Sequence, residues 1–215
     1  MYSEKIIENA VQFIKDKFSD EATGHDWWHI FRVWNTSKKI AATENADLFI
    51  VELAALLHDL EDYKLQKTVG NTGGSQIREW LLCQQIDEKI IQHICEIIEN
   101  LSYKGAGVSS KINTIEGQIV QDADRLDAMG AIGIARAFAY GGSCHRSMYN
   151  PEIKPVFHTS FEDYKNSKGP TINHFYEKLL LLKNLMNTNT GKLLAEERHL
   201  FMEEYLKRFF EEWGS

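Results

Sequence analysis

Residues 51–64 read V-E-L-A-A-L-L-H-D-L-E-D-Y-K, an apolar run that ends in His58, Asp59, Glu61 and Asp62. Ionisable groups at the end of a buried helix are costly unless they are paired or hold a metal. An imidazole beside a carboxylate offers the nitrogen and oxygen donors that divalent ions accept. Neighbouring helical positions differ by about 100° in direction, so His58 and Asp59 could share one ion lying between them, with further ligands coming from elsewhere in the chain.

Four other segments carry candidate groups. In the stretch His25-Asp26-Trp27-Trp28-His29, Asp26 suits an N-cap and places His29 in the first helical turn; the alternative for a lone histidine is a hydrogen-bonded core residue. His25 precedes the cap and has no reason to share that direction. Residues 115–127 bear Asp122, Asp124 and Asp127, acids that repel one another unless cations sit among them, and Arg125 alone does not balance three. Arg136, the one charge in a run of small residues, either pairs with an acid or points into a site. His93 is offset from the apolar stripe of its helix and is more simply structural. The tryptophans suit packing better than base stacking, since no basic groove accompanies them.

The elements that must position these groups read as helices. Apolar residues recur at three-to-four spacing in Ser3–Phe18, in the segment capped by Asp47, in the one starting at Ser75, and in Asp87–Leu101 with its isoleucine stripe. Small residues from Gly130 to Ala137 permit close helix approach. Residues 141–170, which hold all three prolines, read as an irregular loop. Thr171 is expected to cap a helix through Met186 in which His174 and Lys178 share a face. A last helix, from about Lys192, is expected to bury Leu193, Leu194, Phe201, Leu206, Phe209 and Phe210. The fold class is therefore all-α, and a chain of 215 residues is long enough for one substantial core.

Composition narrows the partners. A formal charge of -7 with no long Lys/Arg block argues against a nucleic acid polymer. Three cysteines without C-x-x-C spacing suit a reduced interior, no signal peptide is evident, and no apolar run is long enough for a bilayer. A cytoplasmic protein with no membrane partner is expected, as a monomer or a homodimer.

Taken together, His29, then His58-Asp59, then Asp124 resembles the H…HD…D signature of the HD-domain metal-dependent phosphohydrolases. The segments H-D-W-W-H-I-F-R-V-W, E-L-A-A-L-L-H-D, G-Q-I-V-Q-D-A-D-R-L-D-A-M-G and N-H-F-Y-E-K-L-L are similar to the bacterial YpgQ/YedJ group within it. The resemblance covers almost the whole chain. It implies a single HD domain over 1–215, a helical bundle with a catalytic core at about 20–140 and C-terminal helices at 171–213 completing it. It implies that His29, His58, Asp59 and Asp124 bind a divalent metal, Mn²⁺ first, with Mg²⁺, Co²⁺, Ni²⁺ or Fe²⁺ as substitutes. Asp124 is preferred to Asp122 because it stands in A-D-R-L.

The activity implied is hydrolysis of phosphate esters or anhydrides, in this group of nucleoside or deoxynucleoside triphosphates to monophosphate and pyrophosphate. Asp62 and Lys64 become candidates for catalysis, with Asp62 as base or water-orienting group. Lys104 in a Gly-x-Gly loop, Arg136, His174 and Lys178 become candidate phosphate contacts. The rival readings are a nucleotide phosphomonoesterase and a metal-stabilised module that binds a nucleotide without turnover.

Overall fold

A computed structural model describes residues 2–18, 26–60, 75–101, 112–156 and 169–214. All regular structure among them is helical, and the all-α expectation holds. They form two compact units, one from residues 2–101 and 112–123, the other from residues 124–214.

In the first unit α1 spans Tyr2–Lys17, α2 Trp27–Ala41, α3 Leu48–Leu57, α4 Ser75–Cys83 and α5 Glu88–Leu101, with α6 starting at Ile115. The organising element is α3, which packs against α1, α2 and α5. Ile50, Val51 and every residue from Leu53 to Leu57 are buried, so this helix has almost no wet face. Burial of each leucine, isoleucine or valine side chain there is worth about 1.5–3 kcal/mol. The one polar residue inside it, Glu52, accepts a hydrogen bond from the Trp34 indole at 3.0 Å and so links α3 to α2. Asp47 caps the helix by accepting from the Phe49 and Ile50 amides, while its own amide donates to Glu116 on α6 at 3.0 Å. On α5 the buried stripe is Ile91, Ile94, Ile97 and Leu101, the spacing that the sequence displays. Asp87 accepts from the Lys89 amide before that helix begins.

The second unit opens with the last turn of α6, which ends at Asp127. It continues through α7 (Gly130–Ser143), α8 (Thr171–Glu177), a 3-10 helix (Leu179–Leu185) and α9 (Asn189–Trp213). Arginine side chains donate to carbonyls at helix ends: Arg198 to Leu126 at the end of α6, which also accepts from the Met129 amide, and Arg125 to Leu185 at the end of the 3-10 helix. Gly130 begins α7 at φ 70°, where a Cβ would meet the Arg198 side chain. Phe138, Phe175, Tyr205 and Phe209 pack ring against ring between α7, α8 and α9.

Several boundaries differ from those read off the sequence. Ser3 and Ser75, which as serines at the head of apolar runs suit N-caps, lie within α1 and α4, so neither precedes its helix. Helix α7 runs on to Ser143, three residues into the expected loop. Pro170, not Thr171, stands at the start of α8. The single helix expected over 171–186 breaks at Lys178, whose φ of -144° is outside the helical range; four consecutive leucines then continue as a 3-10 turn. Helix α9 begins at Asn189 because Thr188 accepts from the Gly191 amide at 2.9 Å. Its buried stripe is Gly191, Ala195, His199, Met202 and Leu206, whereas Leu193 and Phe201 are exposed. Three of the five buried positions, Gly191, Ala195 and His199, are small or polar, so counting large apolar residues finds only part of that face. The expected loops at 67–75 and 102–107 fall almost wholly outside the described residues.

Candidate metal centre

Helix α2 starts where Asp26 accepts a hydrogen bond from the His29 amide at 2.8 Å. That cap fixes the first turn, and His29 is carried inward until it is 1% exposed. His58 is the residue after the last turn of α3, still in right-handed helical geometry. Its Nδ1 lies 2.8 Å from the Ala55 carbonyl oxygen. A carbonyl only accepts, so Nδ1 is the donor of this contact and Nε2 is the nitrogen left to bind an ion. Asp59 follows immediately and is also buried.

These three residues converge. His58 Nε2 stands 3.3 Å from His29 Nε2, His29 Nε2 is 3.2 Å from Asp59 Oδ2, and His58 Nε2 is 3.4 Å from Asp59 Oδ1. The imidazole rings are 5.3 Å apart at 67° to one another. One donor atom from each residue lies within 4.8 Å of the others. Donors bound at right angles to one ion, with bonds of about 2.0–2.2 Å, stand roughly 3 Å apart, so the observed separations are those of one face of a coordination shell. Two imidazole nitrogens pointed at each other and at a buried carboxylate are the arrangement a divalent cation would neutralise. The residues fit such a group: His29, His58 and Asp59 would hold it. The Ala55 carbonyl, which orients His58, carries no signature of residue type, and sequence reading did not anticipate it.

Asp124 lies on α6 in the second unit, in the turn before the helix ends. Its neighbour Asp122 belongs to the first unit and is fully buried. Asp127, the third acid, accepts from Arg136 at 2.5 Å, so that arginine does pair with an acid. Lys178 terminates α8, and its amide donates to the His174 carbonyl at 3.0 Å. The expected shared helical face of His174 and Lys178 is lost, because the chain leaves helical geometry at Lys178. Burial pushes the Lys178 ammonium below the ordinary lysine range; Asp124 opposes that shift, and Arg136 and Arg125 add to it. His93 is in the first unit, 3.8 Å from Glu116, and is not one of the converging group. Asp62, Lys64 and Lys104, like His25, lie outside the described residues.

Comparison with known proteins agrees with this geometry. The HD domain family model matches residues 27–129. YpgQ of Bacillus subtilis is 39% identical over 205 residues, which span 95% of this chain and 92% of that protein. Among solved structures, an HD-superfamily hydrolase from Bacillus thuringiensis is 42% identical with a TM-score of 0.78, covering 99% of both chains. Bacillus subtilis YpgQ in complex with ADP is 37% identical with a TM-score of 0.79, covering 99% of this chain and 97% of that one. The two histidines and the aspartate that converge here lie within the matched region, and the chain belongs to the HD-domain family of metal-dependent phosphohydrolases.

Proposed function

We propose that the chain hydrolyses nucleoside or deoxynucleoside triphosphates to the monophosphate and pyrophosphate, with Mn²⁺ as the preferred ion, and that Asp124 supplies a fourth ligand beside His29, His58 and Asp59. The observation that carries this reading is the convergence of two Nε2 atoms and both oxygens of Asp59 at 3.2–3.4 Å. Three protein ligands, or four, leave positions for water and a phosphate oxygen on a six-coordinate ion. The ADP held by Bacillus subtilis YpgQ favours a nucleotide as the ligand.

When bound, the ion supplies a lowered pKa for water and polarisation of the phosphoryl group. The chain's own residues do the remainder. The Ala55 carbonyl holds His58 with its lone pair forward, and the Asp26 cap holds His29 at the start of α2. Water adds to the α-phosphorus, the bond to the bridging oxygen breaks, and pyrophosphate leaves; Asp62 takes the proton from water. Lys64, Lys104, Arg136, His174 and Lys178 offset the charge that develops on the phosphate oxygens. Asp127 orients Arg136 without exhausting it, since a guanidinium has five donors. The chain works as one HD domain over 1–215, in the cytoplasm.

The test is a nucleotide panel assayed with and without Mn²⁺, with pyrophosphate and orthophosphate measured separately. Pyrophosphate released from triphosphates, and abolished by EDTA and by Asp59→Ala, is the expected outcome. Orthophosphate from monophosphates, or turnover indifferent to EDTA, overturns the reading.

A further inference from the structure

The turn after α7 is strapped onto α8 by a series of hydrogen bonds. The Thr171 and Ile172 amides donate to the Ser147 and Met148 carbonyls at 3.0 and 2.9 Å. The Asn173 side-chain amide donates to the Ile153 carbonyl at 2.9 Å, and the Val156 amide donates to Glu177 at 3.0 Å. Pro151 and Pro155 stiffen the strap between those anchors. Under it lies a cavity of about 220 Å³ whose walls include Tyr149, Ile172, Tyr176 and Phe210, with Lys154 and Asn173 contributing polar groups. All of these residues belong to the second unit.

Two features mark this cavity as more than a packing gap. Its walls are flat rings held in place by their neighbours: Tyr149 packs edge-on against Phe210 and Trp213, with centroids 5.3 Å away in both cases. Most of its polar atoms are not engaged by other described residues, the Asn173 side-chain nitrogen, which donates to Ile153, being the exception. Among the described residues, the phenol hydroxyls of Tyr149 and Tyr176, the Asn173 side-chain oxygen and the Lys154 ammonium have no hydrogen-bond partner. Desolvation, and then the nearby Tyr149, push the Tyr176 phenol above its ordinary pKa, so it stays a donor. Polar groups next to apolar walls are satisfied by water or by a ligand.

We propose that this cavity binds a flat heteroaromatic ring that carries an acidic group. The ring lies against Tyr149, Tyr176 and Phe210, as aromatic stacking favours. A ring N–H or amino group donates to the Asn173 oxygen, and the acidic group meets the exposed Lys154 ammonium and the phenol hydroxyls. The volume is below that of sites for drug-sized ligands, about 300–1,000 Å³, and suits one or two fused rings with a substituent at the mouth. Nucleoside monophosphates and aromatic carboxylic acids share this chemistry. The inference does not depend on catalysis at the metal centre.

Calorimetry on the full-length protein in EDTA, with AMP, anthranilate, adenosine and inorganic phosphate as probes, tests the proposal. Saturable binding of AMP identifies a nucleotide as the source, and binding of anthranilate alone identifies an aromatic acid; inorganic phosphate is expected not to bind, and adenosine at least about tenfold more weakly than AMP. Lys154→Glu, an exposed change, is expected to weaken the acidic probe at least about tenfold, and Tyr176→Phe by a few-fold, while His58→Ala leaves it unchanged. No saturable binding of AMP or anthranilate at millimolar concentration overturns the inference. So does binding that Lys154→Glu and Tyr176→Phe leave intact while His58→Ala removes it.

Discussion

His29 reaches its place because one carboxylate, four-fifths of a turn earlier, ends the backbone's freedom. Asp26 accepts from the His29 amide at 2.8 Å, and loss of such a cap costs about 1 kcal/mol. Because the capped residue is one of the three proposed donors to an ion, the same loss should be felt by the metal: partners that orient ligands are typically worth about 10–100-fold in affinity. Asp26→Ala is therefore expected to weaken Mn²⁺ binding by roughly tenfold, whereas Asp26→Asn, which keeps an accepting oxygen, should stay within a few-fold of the parent. Equal losses in both variants, measured by metal titration, would show that the carboxylate charge matters and the cap does not. At this scale the sequence was informative, since a His-Asp pair after an apolar run and an Asp three positions before a histidine are readable chemistry. The Ala55 carbonyl was hidden, because every residue has a carbonyl and only the fold selects which one faces an imidazole.

Helix α3 is legible for a different reason: nothing on it could face water except Glu52 and its ends, so it had to be central. Leu56 is fully buried two residues before His58, and Leu56→Ala is expected to cost about 2–5 kcal/mol, read by denaturant unfolding. Helix α9 shows where such reading fails. Its core-facing row contains His199, whose Nδ1 is buried without a hydrogen-bond partner among the described residues and whose Nε2 stands 3.3 Å from Glu203. A buried unsatisfied polar atom costs about 1–3 kcal/mol, so His199→Leu is expected to leave stability unchanged or raise it by about 1 kcal/mol. A fall of more than that would mean that the Glu203 pairing outweighs the unsatisfied nitrogen. The break at Lys178 was equally illegible, since Leu179 to Leu182 satisfy a helical pattern and a 3-10 pattern alike, and packing of the 3-10 segment against α8 and α9 goes with the latter.

At the scale of the whole chain, an ion at the proposed centre would be linked to folding, because His29 is far in sequence from His58 and Asp59 and the three come together only in the native state. His29 precedes His58 by 29 positions, and their nitrogens stand 3.3 Å apart. An ion that binds the native state alone stabilises it by RT ln(1 + [L]/Kd), about 2.7 kcal/mol at a hundredfold excess over Kd. Mn²⁺ is therefore expected to raise the unfolding midpoint in a concentration-dependent way, and EDTA to reverse the gain. Asp59→Ala should abolish the response. It removes one donor and one buried charge together, so the metal-free variant need not be less stable than the metal-free parent; neutralising the carboxylate also relieves its desolvation. The two effects separate cleanly in a thermal series at rising Mn²⁺: the parent curve climbs and the Asp59→Ala curve stays level. A level parent curve would mean that the three side chains are a hydrogen-bonded core cluster, and the catalytic reading would fall with it.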